Sequence, residues 1–112
     1  MFRIIAYIRP HKLEEVKTAL AEKGVTGLTV TDARGCGSSP EPTEWFLGES
    51  YVVSLPARIK LEAVVPDSMR ETAVETILRT AHTGRSGDGK IVVLRELDAV
   101  RVRTGERGEQ AL

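Results

Sequence analysis

The sequence predicts an α+β fold, a ferredoxin-like double split βαβ sandwich with an antiparallel sheet under two helices. Three observations predict it. Strand-like and helix-like segments follow one another as β-α-β, a long loop, β-α-β and a last short β. Each half opens on a strand that stops at a proline, Pro10 or Pro66, and continues into an amphipathic helix, so the halves repeat weakly at an offset of 56 residues. The 112 residues suffice for one domain with its own core, and for little more. Two right-handed split βαβ units close most simply in this way.

Phe2 to Ile8 is rich in β-branched and aromatic residues and ends before Pro10, which lacks the N–H that a ladder needs. The segment HKLEEVKTALAEKG reads as a helix. Leu13, Val16, Ala19 and Leu20 fall on one stripe, Glu14, Glu15, Lys17, Glu22 and Lys23 lie opposite, and Gly24 suits the position just past its end. A second strand is expected in VTGLTVTDARG, which ends at Gly35. Residues 36–57 then lose all periodicity: two Gly, three Pro and four Ser interrupt them, and only Tyr51-Val-Val reads as a short strand. A loop of about 20 residues inside a compact domain is usually functional. Trp45, Phe46 and Tyr51, three of the five aromatics, fall in it. They suit contact with a partner, the plainer alternative being a local apolar patch. RIKLEAVVP is the third strand. DSMRETAVETILRTAHTG is the second helix, with Ser68 and Glu71 spaced as a capping box, Met69, Ala73, Ile77 and Ala81 as its apolar stripe, and Gly84 past its end. IVVLREL and AVRVRT are expected as two short closing strands before a polar tail. A sheet with both helices on one side leaves its other face bare, and the Val and Ile on these strands suit that face to other copies of the chain.

Composition narrows the function. Sixteen Lys and Arg balance sixteen Asp and Glu, without the basic surplus that a nucleic-acid binder needs. A single Cys forms no internal disulfide and fits a reducing compartment. The opening MFRIIAYIRP is too short and too broken by Arg3 and Arg9 for a signal peptide, and no apolar run approaches a membrane span. The expectation is a cytoplasmic domain without membrane insertion.

The strongest local signal is Thr83-Gly-Arg-Ser-Gly-Asp-Gly-Lys90. Three glycines in six residues allow backbone N–H groups to converge on an anion, and Arg85 and Lys90 add charge. The stretch is not a Walker loop. Ile91 stands where a Mg²⁺-binding Ser or Thr is required, and the loop runs from helix to strand, the reverse of that motif. The plainer reading is a tight glycine turn. Arg101 and Arg103, two apart on an expected strand, would project together; taken alone they read as an exposed sheet face with Glu partners, and beside the Gly-rich loop they suit a polyphosphate. Gly35-Cys36-Gly37 at the mouth of the long loop could bring backbone close to a ligand. Cys36 has no metal-ligand companions, and its default is a small inert thiol. His11 and His82 lie near helix ends with no nucleophile signature around them, so a regulatory binding protein, at most a weak ATPase, is expected rather than an enzyme.

At this point the residues resemble those of the PII signal-transduction (nitrogen regulatory) proteins over nearly the whole length, 1–112 as one domain. The likeness is carried by IRPHKLEEVKTALAEKGVTGLTVTDARGCG, Tyr51-Val-Val, IKLEAVVPD and, most specifically, TGRSGDGKI and VRVRTGERGE. The resemblance implies a homotrimer with ATP and ADP competing for clefts between neighbours, AMP being a further candidate ligand. It implies a T-loop at 36–57 that docks a target enzyme or transporter, a B-loop at 82–90 and a C-loop at 103–112. Carried over by position, Gly87, Gly89, Lys90, Arg101 and Arg103 would hold the phosphates, with Thr83 and Asp88 in the same loop. Gly35, Cys36 and Gly37 would approach from the loop base, and Gly27, Leu28, Thr29, Glu62 and Val64 would frame adenine and ribose.

The departures fall in the T-loop. The family pattern after Gly37 carries Arg, Gln and Lys where Ser38, Ser39 and Pro40 stand here. The resemblance makes that glutamine a ligand for Mg²⁺ and 2-oxoglutarate above ATP, so Ser39 weakens the Mg²⁺ site. Arg58 replaces the lysine that pairs with the keto acid and keeps a charge for a small anion. Tyr51, the modifiable tyrosine of the family, is present, but Phe46-Leu-Gly-Glu49 replaces the usual Tyr-Arg-Gly-Ala before it, and Pro40 and Pro42 stiffen the loop. Regulation of nitrogen metabolism is the first expectation. The alternative is a carbon regulator that senses ADP or AMP with bicarbonate, linked to carboxysomes or inorganic-carbon uptake.

Overall fold

Alternation decides which side of each strand is dry. In a computed structural model describing residues 1–37, 43–46, 49–52 and 55–112, strand β1 (Phe2–Ile8) buries every second residue. Phe2, Ile4, Ala6 and Ile8 point one way, and Arg3, Ile5 and Tyr7 the other. The chain then turns through a short 3-10 segment at Pro10–Lys12 into α1 (Leu13–Glu22), which buries Val16, Ala19 and Leu20. Gly24 takes a φ of +90°, and the N–H of Val25 donates to the Leu20 carbonyl at 2.9 Å, closing the helix end as expected. Strand β2 (Thr29–Arg34) starts later than the sequence pattern suggests, with residues 25–28 irregular.

Inside the stretch read as one loop, the backbone forms a hairpin of β3 (Thr43–Phe46) and β4 (Glu49–Val52), with Thr43 opposite Val52. Ser38, Ser39, Pro40 and Pro42 lie outside the described residues. Strand β5 (Ala57–Val65) alternates like β1, burying Ile59, Leu61, Ala63 and Val65. A second 3-10 segment, Asp67–Met69, leads into α2 (Arg70–Ala81), which buries Ala73, Thr76, Ile77, Thr80 and Ala81. Both buried threonines donate their hydroxyls to the carbonyl four residues back, Thr76 at 2.6 Å and Thr80 at 2.7 Å, so neither hydroxyl is orphaned. The expected Ser68 capping box does not form. The 3-10 turn moves the N-cap of α2 to Met69, and no side chain caps either segment.

Strand β6 (Gly89–Arg95) completes one antiparallel sheet in the order β2-β5-β1-β6. This is the ferredoxin-like arrangement that the element order predicts. The final strand expected in AVRVRT is not there. Residues 99–108 fold back on themselves through a single bridge between Val100 and Arg107, with the N–H of Gly105 on the Arg101 carbonyl at 2.7 Å. Gly105 and Gly108, both at positive φ, make the reversal possible, and the strand reading overlooked them. Both helices cover one face of the sheet in a single core that includes Ile4, Ile8, Val16, Leu20, Leu61 and Ile77. The open face carries Ile5, Tyr7, Val64, Val92 and Leu94 among charged residues, as the strand pairing requires.

Candidate functional site

Four chain segments meet at one end of the sheet: the ends of β1 and β2 and the starts of β5 and β6. They wall an open cleft of about 620 Å³ lined by Tyr7, Ala33, Arg34, Gly35, Cys36, Gly37, Arg58 and the loop from Arg85 to Lys90. Four of these residues are cations, Arg34, Arg58, Arg85 and Lys90, against one acid, Asp88. Neither Arg85 nor Lys90 has an acidic side chain within salt-bridge reach among the described residues. The cleft therefore presents a surplus of positive charge to any ligand.

The one acid is already committed. The Oδ2 atom of Asp88 accepts the backbone N–H groups of Thr83 at 2.7 Å and Gly84 at 2.9 Å. Its Oδ1 accepts the Thr83 hydroxyl and, at 3.0 Å, the Arg9 Nε–H. Burial would raise the pKa of Asp88, but these bonds outweigh it and hold the carboxyl well below the usual carboxylate range. Arg9 also donates from Nη2 to the Ser86 carbonyl at 2.6 Å. Thr83 and Asp88, both expected in the site, thus spend their side chains on the shape of the loop.

The glycines divide into two kinds. Gly89 sits at a φ of +114°, and a Cβ there would lie 1.6 Å from the Tyr7 carbonyl oxygen. The pairing of β6 with β1 requires glycine at this position, whatever the cleft binds. Gly27, Gly35 and Gly37 are different. None takes a positive φ, and a Cβ on any of them would meet nothing within 4 Å. Nothing described in the chain demands glycine at these positions; Gly35 and Gly37 line the cleft, where bare backbone leaves room for a ligand, whereas Gly27 precedes β2 and does not line it.

The remaining expected residues are elsewhere. Thr29 pairs with Glu62, and Val64 lies level with Arg3, about 13 Å along the strands from the Tyr7 level. Glu62 is bound within the chain, by Lys60 at 3.1 Å and Arg3 at 2.6 Å, and the Lys60 and Arg3 hydrogen bonds lower its pKa. Leu28 packs half-buried against the core. Arg101 and Arg103 follow the far end of β6, which spans about 20 Å from Gly89 to Arg95. Neither lines the cleft. They do not share a strand face as the sequence reading has it, because Arg101 opens a turn and Arg103 lies within it. Arg101 donates to the Leu112 carbonyl at 3.0 Å and lies 3.6 Å from Glu106, while Arg103 is exposed and makes no ion pair among the described residues. Tyr51 stands on β4 opposite Glu44 in the backbone register, and its side chain is outside the described residues. Sequence reasoning missed Arg9. Its position just before Pro10 suggested only a strand end, and nothing local indicated a partner almost eighty residues away.

A chain built this way can be compared with known proteins. The family model for the nitrogen regulatory protein P-II matches residues 1–106. Over 112 residues, all of both chains, the sequence is 46% identical to the Nitrogen regulatory protein P-II 1 of Escherichia coli (strain K12). On the same full coverage it is 49% identical to the Nitrogen regulatory protein P-II of Azospirillum brasilense and 48% to that of Rhodospirillum rubrum. By fold, by full-length similarity and by the family match, this chain belongs to the nitrogen regulatory protein P-II family.

Proposed function

We propose that the protein is a nitrogen-regulatory signalling protein that binds ATP or ADP in clefts between the subunits of a homotrimer and acts on a target enzyme or transporter through residues 36–57. One observation carries the intersubunit part. The two groups expected to converge on the same phosphates are set apart: Gly87 to Lys90 enter β6 in the cleft wall, whereas Arg101 and Arg103 follow its far end and do not line the cleft. One phosphate chain can meet both only if a second copy supplies the missing half. The open sheet face, with Ile5, Val64, Val92 and Leu94 in reach of solvent, offers that copy an apolar surface.

The ligand reading rests on the cleft itself: Arg85 and Lys90 have no acidic side chain within reach among the described residues, and Gly35 and Gly37 are glycines for which nothing described in the chain has a use. When bound, the nucleotide would place its phosphates on the Gly87 to Lys90 backbone and the Lys90 ammonium, with Gly35 and Gly37 leaving room beside it. Arg58 lines the same cleft and suits the carboxylate of a small anionic effector. A divalent cation with ATP belongs to this reading, held weakly because Ser39 offers no amide carbonyl. The role is regulatory binding, with two loop states distinguished by the nucleotide. The relatives found are named as nitrogen regulators, which favours that setting over carbon uptake.

Titration calorimetry with ATP, ADP and AMP, with 2-oxoglutarate or bicarbonate added in turn, tests this directly. Saturable ADP or ATP binding, accompanied by a raised Tm, is expected. The absence of heat and of any Tm shift with all three nucleotides would falsify it. Enhancement of ATP binding by bicarbonate and not by 2-oxoglutarate would transfer the protein to carbon regulation.

A further inference from the structure

The segment from Thr83 to Gly89 carries three glycines at positive φ, Gly84, Gly87 and Gly89, and such a segment has little intrinsic reason to keep one shape. What fixes it comes from the other end of the sequence. Arg9 lies between β1 and the Pro10 turn, with extended backbone (φ −67°, ψ 139°), and its carbonyl accepts the Lys12 N–H at 3.0 Å. Its side chain is only 15 % exposed and meets the loop twice, through Nε on Asp88 at 3.0 Å and through Nη2 on the Ser86 carbonyl at 2.6 Å. Asp88 then gathers the Thr83 and Gly84 N–H groups onto its other oxygen. The N–H of Arg85 is turned back to the Thr83 hydroxyl at 3.3 Å. The first three amides of the loop are thereby used inside it. Those of Ser86, Gly87 and Asp88 meet no protein acceptor among the described residues.

We propose that Arg9 is a positioning residue for ligand binding, whose guanidinium clamps Ser86 and Asp88 and thereby holds the 83–89 loop in its anion-receiving shape before any nucleotide arrives. The inference rests on the nucleotide reading above. The physical effect is pre-organisation: a loop that visits its competent shape only part of the time binds with an affinity reduced by that fraction. Arginine is required because one planar fork spans two acceptors. A lysine ammonium is a single point that satisfies one of them.

The test compares the wild-type chain with Arg9→Lys and Arg9→Gln by ADP calorimetry and by hydrogen exchange at the Thr83 and Gly84 amides without ligand. Slow exchange at both amides is expected in the wild type. In Arg9→Gln that protection falls and ADP binds about tenfold more weakly. Arg9→Lys falls between the two, and saturating ADP restores protection in both variants. Two results overturn the proposal: unchanged ADP affinity in Arg9→Gln, or weakened affinity with the two amides still protected. If Arg9→Gln does not fold, Arg9→Lys is judged by the same two readings. If the wild type binds no adenylate, the functional reading fails first and takes the inference with it. If the wild type binds and Arg9→Gln binds equally well, only the inference fails.

Discussion

The two ends of the sheet treat their charges differently. Around the β1 start, β5 end and β6 end, opposite charges are spent on one another. Arg3 pairs with Glu62 and Glu96, the Met1 ammonium and Arg95 pair with Asp67, and Arg107 pairs with Asp98. At the other end the only acid of the cleft is consumed by its own loop, and Arg85 and Lys90 stand without an acidic partner among the described residues. Exposed ion pairs contribute little to stability, so the difference matters less for folding than for what each end can still bind. At the first end most charged side chains already have partners, Arg103 being an exception. At the second end Arg85 and Lys90 keep charges that no described acid neutralises, which is what an anionic ligand would need.

The comparison can be broken most forcefully at a single glycine. Gly89→Ala forces a Cβ into the Tyr7 carbonyl at a positive φ, and should cost at least about 2 kcal/mol of folding free energy in a urea titration. A full-sized loss of ADP binding with stability unchanged would mean that Gly89 serves the ligand and not the sheet. An aspartate placed there would mostly disrupt β1–β6 pairing, so it cannot serve as a clean probe of phosphate binding. Next in size is the cation itself: Lys90→Ala should weaken ADP at least tenfold with Tm of the ligand-free protein nearly unchanged, since Lys90 is exposed and forms no ion pair among the described residues. Gly35→Ala should leave stability within about 0.5 kcal/mol and still weaken ADP severalfold, because the fold has room for its methyl group. The same change with no effect on ADP would remove Gly35 from the site.

Acid offers a subtler probe. Asp88 has a lowered pKa in the folded chain. Its contribution to stability is therefore complete above the unfolded carboxylate pKa of about 4 and is lost as pH falls below that value toward the folded pKa. Protection of the Thr83 and Gly84 amides should persist unchanged from pH 7 to pH 5 and decline only in stronger acid. Loss already near pH 6 would show that a group other than Asp88 controls the loop.

Much of this was legible in the sequence, for identifiable reasons. β-Branched runs ended by proline marked β1 and β5, and the stripes in α1 and α2 follow from burial of one face, so the element order and the helix stripes revealed the sandwich and the helix side of its core. The Gly-rich stretch with Arg85 and Lys90 was legible as a local cluster, and it forms one wall of the cleft, with Gly89 required by β1–β6 pairing as well. Three things were not. The capping box of Ser68 matched in spacing, but Asp67–Met69 tightened into a 3-10 turn that no short pattern announces. AVRVRT alternates like a strand, yet two glycines at positive φ turn it back before it can pair. The clamp from Arg9 to Asp88 depends on contact across 79 positions, which only the closed sheet creates.

The central claim is that one protomer's cleft and another's Arg103 segment hold the same adenylate, and subunit mixing tests it most directly. Lys90→Ala and Arg103→Ala chains, each weak for ADP as pure preparations, are unfolded together, refolded as mixed oligomers and titrated with ADP. The account predicts that a fraction of sites with near wild-type affinity returns, formed by an intact cleft beside an intact Arg103. A mixture that binds ADP no better than the two parents would contradict it.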